Sequence, residues 1–217
     1  MRFLLVIWLI CCGVAAAAQD VLIIGDSMLS IHQKKDGGIE EIITRETGLS
    51  VEILASAGAP VVPAKGAKRL LSGKPVIQQL GERDAPIVVV NGGANDLALQ
   101  CRCGECGPTL EGILSSDSGG ALGTLMRDLR DRGSKVFLVG YYAWAPGGRA
   151  YEGCRTYLEE LDRRMVETAN RLEGVTYVST REAIDPENPE HFKADGIHPS
   201  LVGAGRIGQV LAAAMVR

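Results

Sequence analysis

A short, unbroken apolar run near the start of the chain places the strongest constraint on its fold. Val21–Ile24 holds four apolar residues without polar alternation, and the run ends abruptly at Gly25, Asp26 and Ser27. Strands that are covered on both faces have this pattern, and they are typical of parallel sheets. Ligands of open α/β sheets bind outside the carboxyl ends of the strands. The run therefore predicts a buried strand that displays Ser27, although Asp26 and Ser27 also suit an ordinary turn or helix cap.

Further apolar runs alternate with helical patterns along the chain. Strands are predicted at residues 51–54, 87–90, 136–139 and 175–178. Helical spacing of apolar residues predicts helices at about residues 39–46, 66–82 (broken at Gly73), 121–129, 154–172 and 201–215. Strands that alternate with helices form a parallel sheet with helices on both faces. The predicted fold class is α/β, as one three-layer α/β/α sandwich with a five-stranded parallel sheet.

Composition narrows the classes of partner. Hydrophobic residues make up 46% of the 217 positions, which is enough for one domain with a real core. The chain has 26 acidic and 23 basic residues, a formal charge of −3 and no Lys/Arg cluster. This balance argues against nucleic acid or an anionic membrane surface as the main partner. Aromatic residues, at 5%, are also too sparse for a platform that stacks bases.

The first 18 residues have the pattern of a secretory signal peptide. A basic residue at position 2 precedes an apolar stretch over residues 3–14 and a run of four alanines at 15–18. The apolar stretch is shorter than the roughly 20 residues that a spanning helix needs. We expect residues 1–18 to be cleaved, a single domain over residues 19–217 without a stable membrane span, and a periplasmic or secreted location.

Four cysteines remain beyond the predicted signal peptide: Cys101, Cys103, Cys106 and Cys154. An even number of cysteines in an oxidising compartment favours disulfides, and four cysteines allow three connectivities. Cys101 and Cys103 are too close in sequence for an easy bridge. A structural Cys₄ zinc site and free or redox-active thiols are the alternatives.

Polar residues that suit nucleophilic catalysis lie outside the predicted strands. A serine hydroxyl such as that of Ser27 needs an adjacent base, and histidine serves because imidazole titrates near working pH. A carboxylate must hold the imidazole in the right tautomer. Asp195 and His198, three positions apart in one turn, predict that pair. The Gly58 amide and the Asn95 side-chain amide suit an oxyanion hole, which donates hydrogen bonds to the attacked carbonyl oxygen.

Other polar and aromatic residues near these positions have less specific patterns. Asp26 and Asp96 are predicted to hold turn backbone, and the two remaining histidines have no carboxylate at the same short spacing. Tyr141, Tyr142 and Trp144 follow the fourth predicted strand, where they would either pack in the core or line an acyl or sugar pocket.

Four segments in order resemble the signature blocks of the SGNH/GDSL hydrolases. They are Gly25-Asp26-Ser27, then Gly58, then Gly93-Ala94-Asn95-Asp96, and finally Asp195-Gly196-Ile197-His198. Their order and rough spacing match those of the family, and together they extend over nearly the whole expected mature chain. Within the family the chain looks most similar to the periplasmic multifunctional thioesterase/lysophospholipase type. The resemblance implies a flavodoxin-like fold and no cofactor or metal.

The resemblance also implies residue roles in ester or thioester hydrolysis through an acyl-serine. Ser27 would be the nucleophile, His198 the base and then the acid, and Asp195 the carboxylate partner. The Ser27 and Gly58 amides and the Asn95 side chain would form the oxyanion hole. The expected partner is a small-molecule or lipid-like acylated substrate.

Two departures from the family pattern leave alternatives open. Met28 stands where leucine is usual, which conserves volume. The cysteine-containing loop after Asn95 replaces a loop that contacts substrate in the similar type, so the substrate is open. Carbohydrate O-deacetylation or acyl transfer to a sugar hydroxyl would use the same site. A metal-binding or redox module built on the four cysteines is the non-enzyme alternative.

Overall fold

The computed structural model describes residues 19–70 and 72–217, which form a five-stranded, all-parallel sheet surrounded by helices. The strands are β1 (Val21–Ile24), β2 (Val51–Ile53), β3 (Ile87–Val90), β4 (Lys135–Val139) and β5 (Val175–Val178). Their order across the sheet, β2-β1-β3-β4-β5, is the flavodoxin-like order. The predicted α/β/α sandwich is confirmed, whereas the predicted signal peptide at residues 1–18 lies outside the described residues.

The segments between strands form α-helices and short 3₁₀ helices. The α-helices are α1 (Ser27–Ser30), α2 (Ile39–Thr47), α3 (Val76–Gln79), α4 (Ala94–Gln100), α5 (Gly107–Ile113), α6 (Gly120–Asp131), α7 (Arg155–Arg171) and α8 (Leu201–Met215). The 3₁₀ helices are Gly66–Leu70, Arg149–Cys154 and Pro189–His191. Among the described residues, no helix is both long and apolar enough to span a bilayer.

The long amphipathic helices are predicted well and the short ones poorly. α2 ends at Gly48, whose φ of +75° is the left-handed conformation of a glycine cap, and the Ser200 side chain caps α8. The broken helix predicted at 66–82 is a 3₁₀ helix followed by the single turn of α3. α4 and α5 have only seven residues each, which is too short for a clear periodic signal, and α4 also buries the polar side chains of Asn95 and Asp96.

The strands at the centre of the sheet account for the unbroken apolar runs. Residues 88–90 are completely buried, as are Val21, Ile23 and Ile24. In the parallel register, Ile24 lies beside Val90, and Val90 lies beside Leu138. The carboxyl ends of β1, β3 and β4 are therefore level at one edge of the sheet. From β1 the chain passes to β2 on one side, and it then crosses to β3 on the other side of β1. This edge therefore contains the topological switch point where ligands bind in such folds.

A buried glutamine secures the end of β1. The Gln79 side chain accepts a hydrogen bond from the Gly25 N–H at 2.7 Å and donates to the Gly25 carbonyl at 2.8 Å. It also donates to the Lys74 carbonyl at 2.9 Å. Gly25 has a φ of +155°, and a Cβ at this position would lie 3.1 Å from the Asn91 carbonyl oxygen. Gly25 and Gln79 together fix the turn from which the next residues enter α1.

Replacing this glutamine is expected to destabilise the fold. Gln79→Ala removes the partner of buried Gly25 backbone groups, so the free energy of unfolding should fall by about 1–3 kcal/mol. Gln78→Ala is the matched control, because Gln78 is exposed on the same helix and its loss should change stability by less than about 0.5 kcal/mol. Urea unfolding measures both variants. An equal loss in the two would contradict the role assigned to Gln79.

Candidate active site

The predicted nucleophile lies at the first residue of α1, directly beyond β1. Asp26 caps this helix, and its Oδ1 accepts a hydrogen bond from the Met28 N–H at 2.9 Å. Ser27 itself is half-buried and lines a small cleft. The abrupt end of the apolar run therefore produces the turn that exposes the Ser27 hydroxyl.

Three of the predicted site residues form one series of hydrogen bonds. His198 Nε2 lies 3.0 Å from Ser27 Oγ, although 171 positions separate the two residues in sequence. His198 Nδ1 lies 2.7 Å from Asp195 Oδ2. The other Asp195 oxygen accepts the backbone N–H groups of Ile197 and His198, each at 2.9 Å. Gly196, with a φ of +66°, permits this tight turn.

The environment of Asp195 keeps its carboxyl ionised. Partial burial opposes ionisation, but hydrogen bonds from the His198 ring and from the His198 and Ile197 amides outweigh it and lower the pKa of Asp195 to about 2. An ionised carboxylate can only accept, so the proton of the neutral ring lies on Nδ1. His198 Nε2 then directs a lone pair at Ser27 Oγ. This arrangement can remove the hydroxyl proton of a serine nucleophile.

The turn that contains His198 is held by the loop after β4. The Tyr142 hydroxyl donates to the Ile197 carbonyl at 2.8 Å, and the Ala145 N–H donates to the Gly196 carbonyl at 3.0 Å. The Lys193 N–H donates to the His198 carbonyl at 2.9 Å. The backbone that carries the imidazole is therefore held by hydrogen bonds to three consecutive carbonyl groups.

Asn95 lies at the start of α4 and lines the same cleft as Ser27. Its amide nitrogen donates to the Ala59 carbonyl at 3.1 Å, and its Oδ1 accepts the Tyr151 hydroxyl at 3.0 Å. Since a backbone carbonyl can only accept, the contact with Ala59 assigns the amide orientation. One of the two Nδ2 hydrogens is used in this bond, and the other can serve an oxygen in the cleft.

Gly58 lies in the turn after β2, close to the site but not among the residues that line the cleft. Its φ of +68° is left-handed, and its carbonyl accepts the Gly73 N–H at 3.2 Å. Within residues 19–70 and 72–217, neither its N–H nor that of Ser27 donates to another protein group. Gly58 connects to the site through its neighbour Ala59, which holds Asn95.

Asp26 and Asp96 hold backbone, and a tyrosine links Asp26 to the start of α4. Asp96 accepts the Val61 and Val62 N–H groups at 2.6 and 3.0 Å, and burial raises its pKa to about 7. Burial likewise raises the pKa of Asp26, against hydrogen bonds from Tyr141 and Met28. The Tyr141 hydroxyl donates to Asp26 at 2.5 Å and accepts the Ala94 N–H at 3.1 Å. Tyr141 therefore ties the start of α1 to the start of α4.

The cleft around the serine is small and aromatic. It has a volume of about 20 Å³ and is lined by Asp26, Ser27, Met28, Ala94, Asn95, Tyr141, Tyr142, Trp144, Tyr151, Ile197 and His198. The rings of Trp144 and Tyr151 pack with their centroids 5.5 Å apart. A site needs about 10–15 Å³ to admit one water, so the enclosed part of the cleft admits a group little larger than that, while its mouth is open to solvent. A larger cavity of about 620 Å³ lies between β5 and the end of α8 and includes none of the predicted site residues.

The four cysteines form two disulfides, Cys101–Cys106 and Cys103–Cys154. The prediction of disulfides agrees with the structure, which also selects one of the three open connectivities. The first bond closes the loop between α4 and α5, and the second joins that loop to the 3₁₀ helix before α7. Since the sulfurs are paired, none of the four is a free thiolate for zinc, and the described residues contain no other cluster of metal-ligating side chains.

Two residues that support the site are absent from the sequence predictions. Tyr151 contacts Asn95 across 56 positions, and Gln79 contacts Gly25 across 54. Neither residue lies in a recognisable motif, and each makes its contact through tertiary structure alone. Sequence periodicity has no signal for such pairs.

Comparisons with known proteins concern the family and the fold of the chain. The model of the GDSL-like lipase/acylhydrolase family matches residues 23–206. A sequence comparison with curated proteins found no match.

Solved structures resemble the chain along nearly its whole length. The lipase/acylhydrolase from Enterococcus faecalis shares 19% identity, with a TM-score of 0.61 over 90% of this chain and 94% of that one. TesA shares 21% identity, with a TM-score of 0.60 over 90% and 97% of the two chains. A carbohydrate esterase family 2 enzyme with a carbohydrate-binding domain, from Corynascus thermopiles (Myceliophthora fergusii), shares 16% identity, with a TM-score of 0.57 over 93% and 67%. At these identities the likeness shows a common fold.

The hydrogen bonds of His198 predict its tautomer. Wild-type protein at neutral pH should carry the ring proton on Nδ1. In Asp195→Asn, an amide N–H that faces the ring would donate to Nδ1 and move the proton to Nε2. Ring ¹⁵N chemical shifts report the tautomer. His191 is an internal reference, because its Nδ1 accepts the Asp185 N–H at 3.0 Å in a bond that does not involve Asp195. The same His198 tautomer in wild type and Asp195→Asn would contradict this account.

Proposed function

Because the chain belongs to the GDSL-like lipase/acylhydrolase family, we propose that it is an exported serine hydrolase that cleaves carboxylic esters or thioesters through an acyl-serine intermediate. The observation that carries this proposal is the series of hydrogen bonds from Asp195 through His198 to Ser27. Nucleophile, base and orienting carboxylate each have the partner that their role requires. The expected substrate is a small or lipid-like acylated molecule.

The mechanism proceeds in two half-reactions. Ser27 Oγ attacks the substrate carbonyl carbon while His198 Nε2 takes the hydroxyl proton. The bond to the alcohol or thiol then breaks, and His198 returns the proton to the leaving group. Water then attacks the acyl-serine with His198 again as base, and His198 returns that proton to Ser27 Oγ as the acyl–oxygen bond breaks and the carboxylic acid leaves. Asp195 stays ionised throughout and stabilises the imidazolium that forms in each half.

Negative charge on the carbonyl oxygen requires donors that are already in place. The Ser27 and Gly58 N–H groups and the Asn95 amide are the proposed donors, as the family pattern implies. The support for Asn95 is its position in the cleft with one N–H available. The support for the two backbone groups is that neither donates elsewhere in the described part of the chain. Such preoriented donors lower the barrier because they need no reorganisation as charge develops.

Export forms part of the proposal. The pattern at residues 1–18 suits cleavage by a secretory route, and two disulfides persist best in an oxidising compartment. The proposed location is therefore the periplasm or the exterior. Since the cysteines are paired, the metal-binding alternative lacks the thiolates that it needs.

Carbohydrate O-deacetylation is the second candidate, and the size of the cleft favours it. The enclosed volume of about 20 Å³ suits an acetyl group, whereas a long acyl chain would have to extend through the open mouth of the cleft. Trp144 and Tyr151 present aromatic rings beside the serine, and such rings suit the apolar faces of sugars. One structural neighbour is a carbohydrate esterase family 2 enzyme. Acyl transfer differs only in that a sugar hydroxyl replaces water in the second half-reaction.

Removal of the proposed nucleophile should abolish turnover. Ser27→Ala is expected to lower kcat for short p-nitrophenyl esters by about 10⁴-fold or more, because no acyl-enzyme can form. Ser30→Ala is the matched control at the other end of α1 and should retain activity. Initial rates at saturating substrate measure both. Equal activity in wild type and Ser27→Ala would refute the serine mechanism.

The small cleft predicts a preference for short acyl groups. We expect kcat/KM for acetyl and propionyl p-nitrophenyl esters to exceed that for the octanoyl ester by about tenfold or more, since the added methylenes would leave the small enclosed part of the cleft and gain no burial there. A chain-length series measures this, with acetylated sugars assayed in parallel. A steady increase of kcat/KM with chain length would show that the cleft does not limit the acyl group.

A further inference from the structure

Asn95 is held at both ends of its amide, and the two holders come from different parts of the chain. Ala59 accepts from Nδ2, while the Tyr151 hydroxyl donates to Oδ1. If the hydroxyl were absent, the buried Oδ1 would lose its hydrogen-bond donor, and the amide could rotate about its remaining contact. A donor of an oxyanion hole contributes most when its direction is set before the charge develops. The second contact thus fixes the direction of the free Nδ2 hydrogen.

Tyr151 is suited to act as a permanent donor. Burial, followed by the nearby charge of Asp26, raises the pKa of Tyr151 to about 12. The hydroxyl therefore keeps its proton throughout the pH range in which a histidine base works. Its ring packs against Trp144, with the centroids 5.5 Å apart, which limits the movement of the side chain.

A disulfide ties the segment that contains Tyr151 to the helix that contains Asn95. Tyr151 lies in the 3₁₀ helix Arg149–Cys154, whose last residue is bonded to Cys103. Cys103 lies just beyond α4, and its N–H donates to the Leu97 carbonyl of that helix at 3.1 Å. A Cβ on Gly153 would lie 3.2 Å from the Cys103 Cβ, so the two segments pack closely. The covalent bond keeps Tyr151 within reach of Asn95.

We propose that Tyr151, tethered through the Cys103–Cys154 disulfide, is a positioning residue that orients the Asn95 amide toward the carbonyl oxygen of the substrate. This inference rests on the proposed hydrolase function and assigns a role to the cysteine-containing insertion. Through the Cys103–Cys154 disulfide, the cysteine-containing loop after Asn95 holds the Tyr151 segment, and Tyr151 in turn orients the proposed oxyanion-hole donor Asn95. Tyr151 acts through Asn95 and contacts no reacting atom in this role.

A double-mutant cycle tests the coupling between the two side chains. Tyr151→Phe keeps the ring and removes only the hydroxyl, so kcat for a short ester should fall about tenfold while KM changes less than about twofold. Asn95→Ala should lower kcat by about 10²–10³-fold. When Tyr151→Phe is added to Asn95→Ala, kcat should change by less than about twofold. Tyr177→Phe is the matched control, because the Tyr177 hydroxyl donates to Asp162 at 2.6 Å and Tyr177 does not line the cleft. This variant should retain wild-type kcat.

The outcomes of the cycle separate this inference from the proposed function. Unchanged kcat in Tyr151→Phe, or the same loss with and without Asn95, would overturn the positioning role while hydrolysis by Ser27 stands. Loss of the proposed function would appear differently, as wild-type protein that turns over no ester. Side-chain amide signals of Asn95 in ¹⁵N spectra give a readout without turnover. Those signals should shift or broaden in Tyr151→Phe and not in Tyr177→Phe, and identical spectra would overturn the inference.

A pair of disulfide variants tests the tether. Replacing both Cys103 and Cys154 with alanine should lower kcat by about the same factor as Tyr151→Phe, with little further loss when the changes are combined. Replacing both Cys101 and Cys106 is the control, because that bond closes a short loop and does not hold the Tyr151 segment. Wild-type kcat in the folded Cys103/Cys154 variant would refute the tether. The cycle at Tyr151 and Asn95 does not depend on how either disulfide variant folds.

Discussion

The site depends on the parallel pairing of β1 with β3. Ile24 lies beside Val90, so both strands end at the same level of the sheet. The residues that follow the two strands, Ser27 and Asn95, therefore reach one cleft although 68 positions separate them. Asn91 continues this alignment, since its N–H donates to Ile24 and its side chain donates to Val139 at the end of β4. Parallel register thus converts distant segments into neighbours.

Hydrogen bonds from three tyrosine hydroxyls connect the segments that carry the site residues at this edge of the sheet. Tyr141 joins the cap of α1 to the start of α4, and Tyr142 holds the turn that carries His198. Tyr151, in the 3₁₀ helix before α7, donates its hydroxyl hydrogen to Asn95 Oδ1. Each hydroxyl connects backbone or side chains from separate segments, so the cleft is bounded by groups with fixed directions. Such preorganisation is what stabilisation of a developing charge requires.

Much of the fold could be predicted because local patterns determine it. The unbroken run at Val21–Ile24 reflects burial on both faces of β1, and the turn at Asp195 and His198 is short enough to be recognised by spacing alone. Contacts across tertiary structure left no such pattern, so the roles of Gln79 and Tyr151 and the pairing of the cysteines became visible only in the fold. The signal peptide, the catalytic roles of Ser27, Asp195 and His198, and the oxyanion roles of Ser27, Gly58 and Asn95 remain predictions.

Activation of Ser27 by His198 underlies each step of the proposed reaction, and labelling with a fluorophosphonate probes that activation without turnover. Such a reagent bonds its phosphorus to an activated serine oxygen and releases fluoride, so it reports the nucleophile without any choice of substrate. We expect one adduct per chain, located on Ser27 by peptide mass spectrometry, and its loss in His198→Ala. An adduct on another serine, or undiminished labelling of Ser27 in His198→Ala, would contradict it.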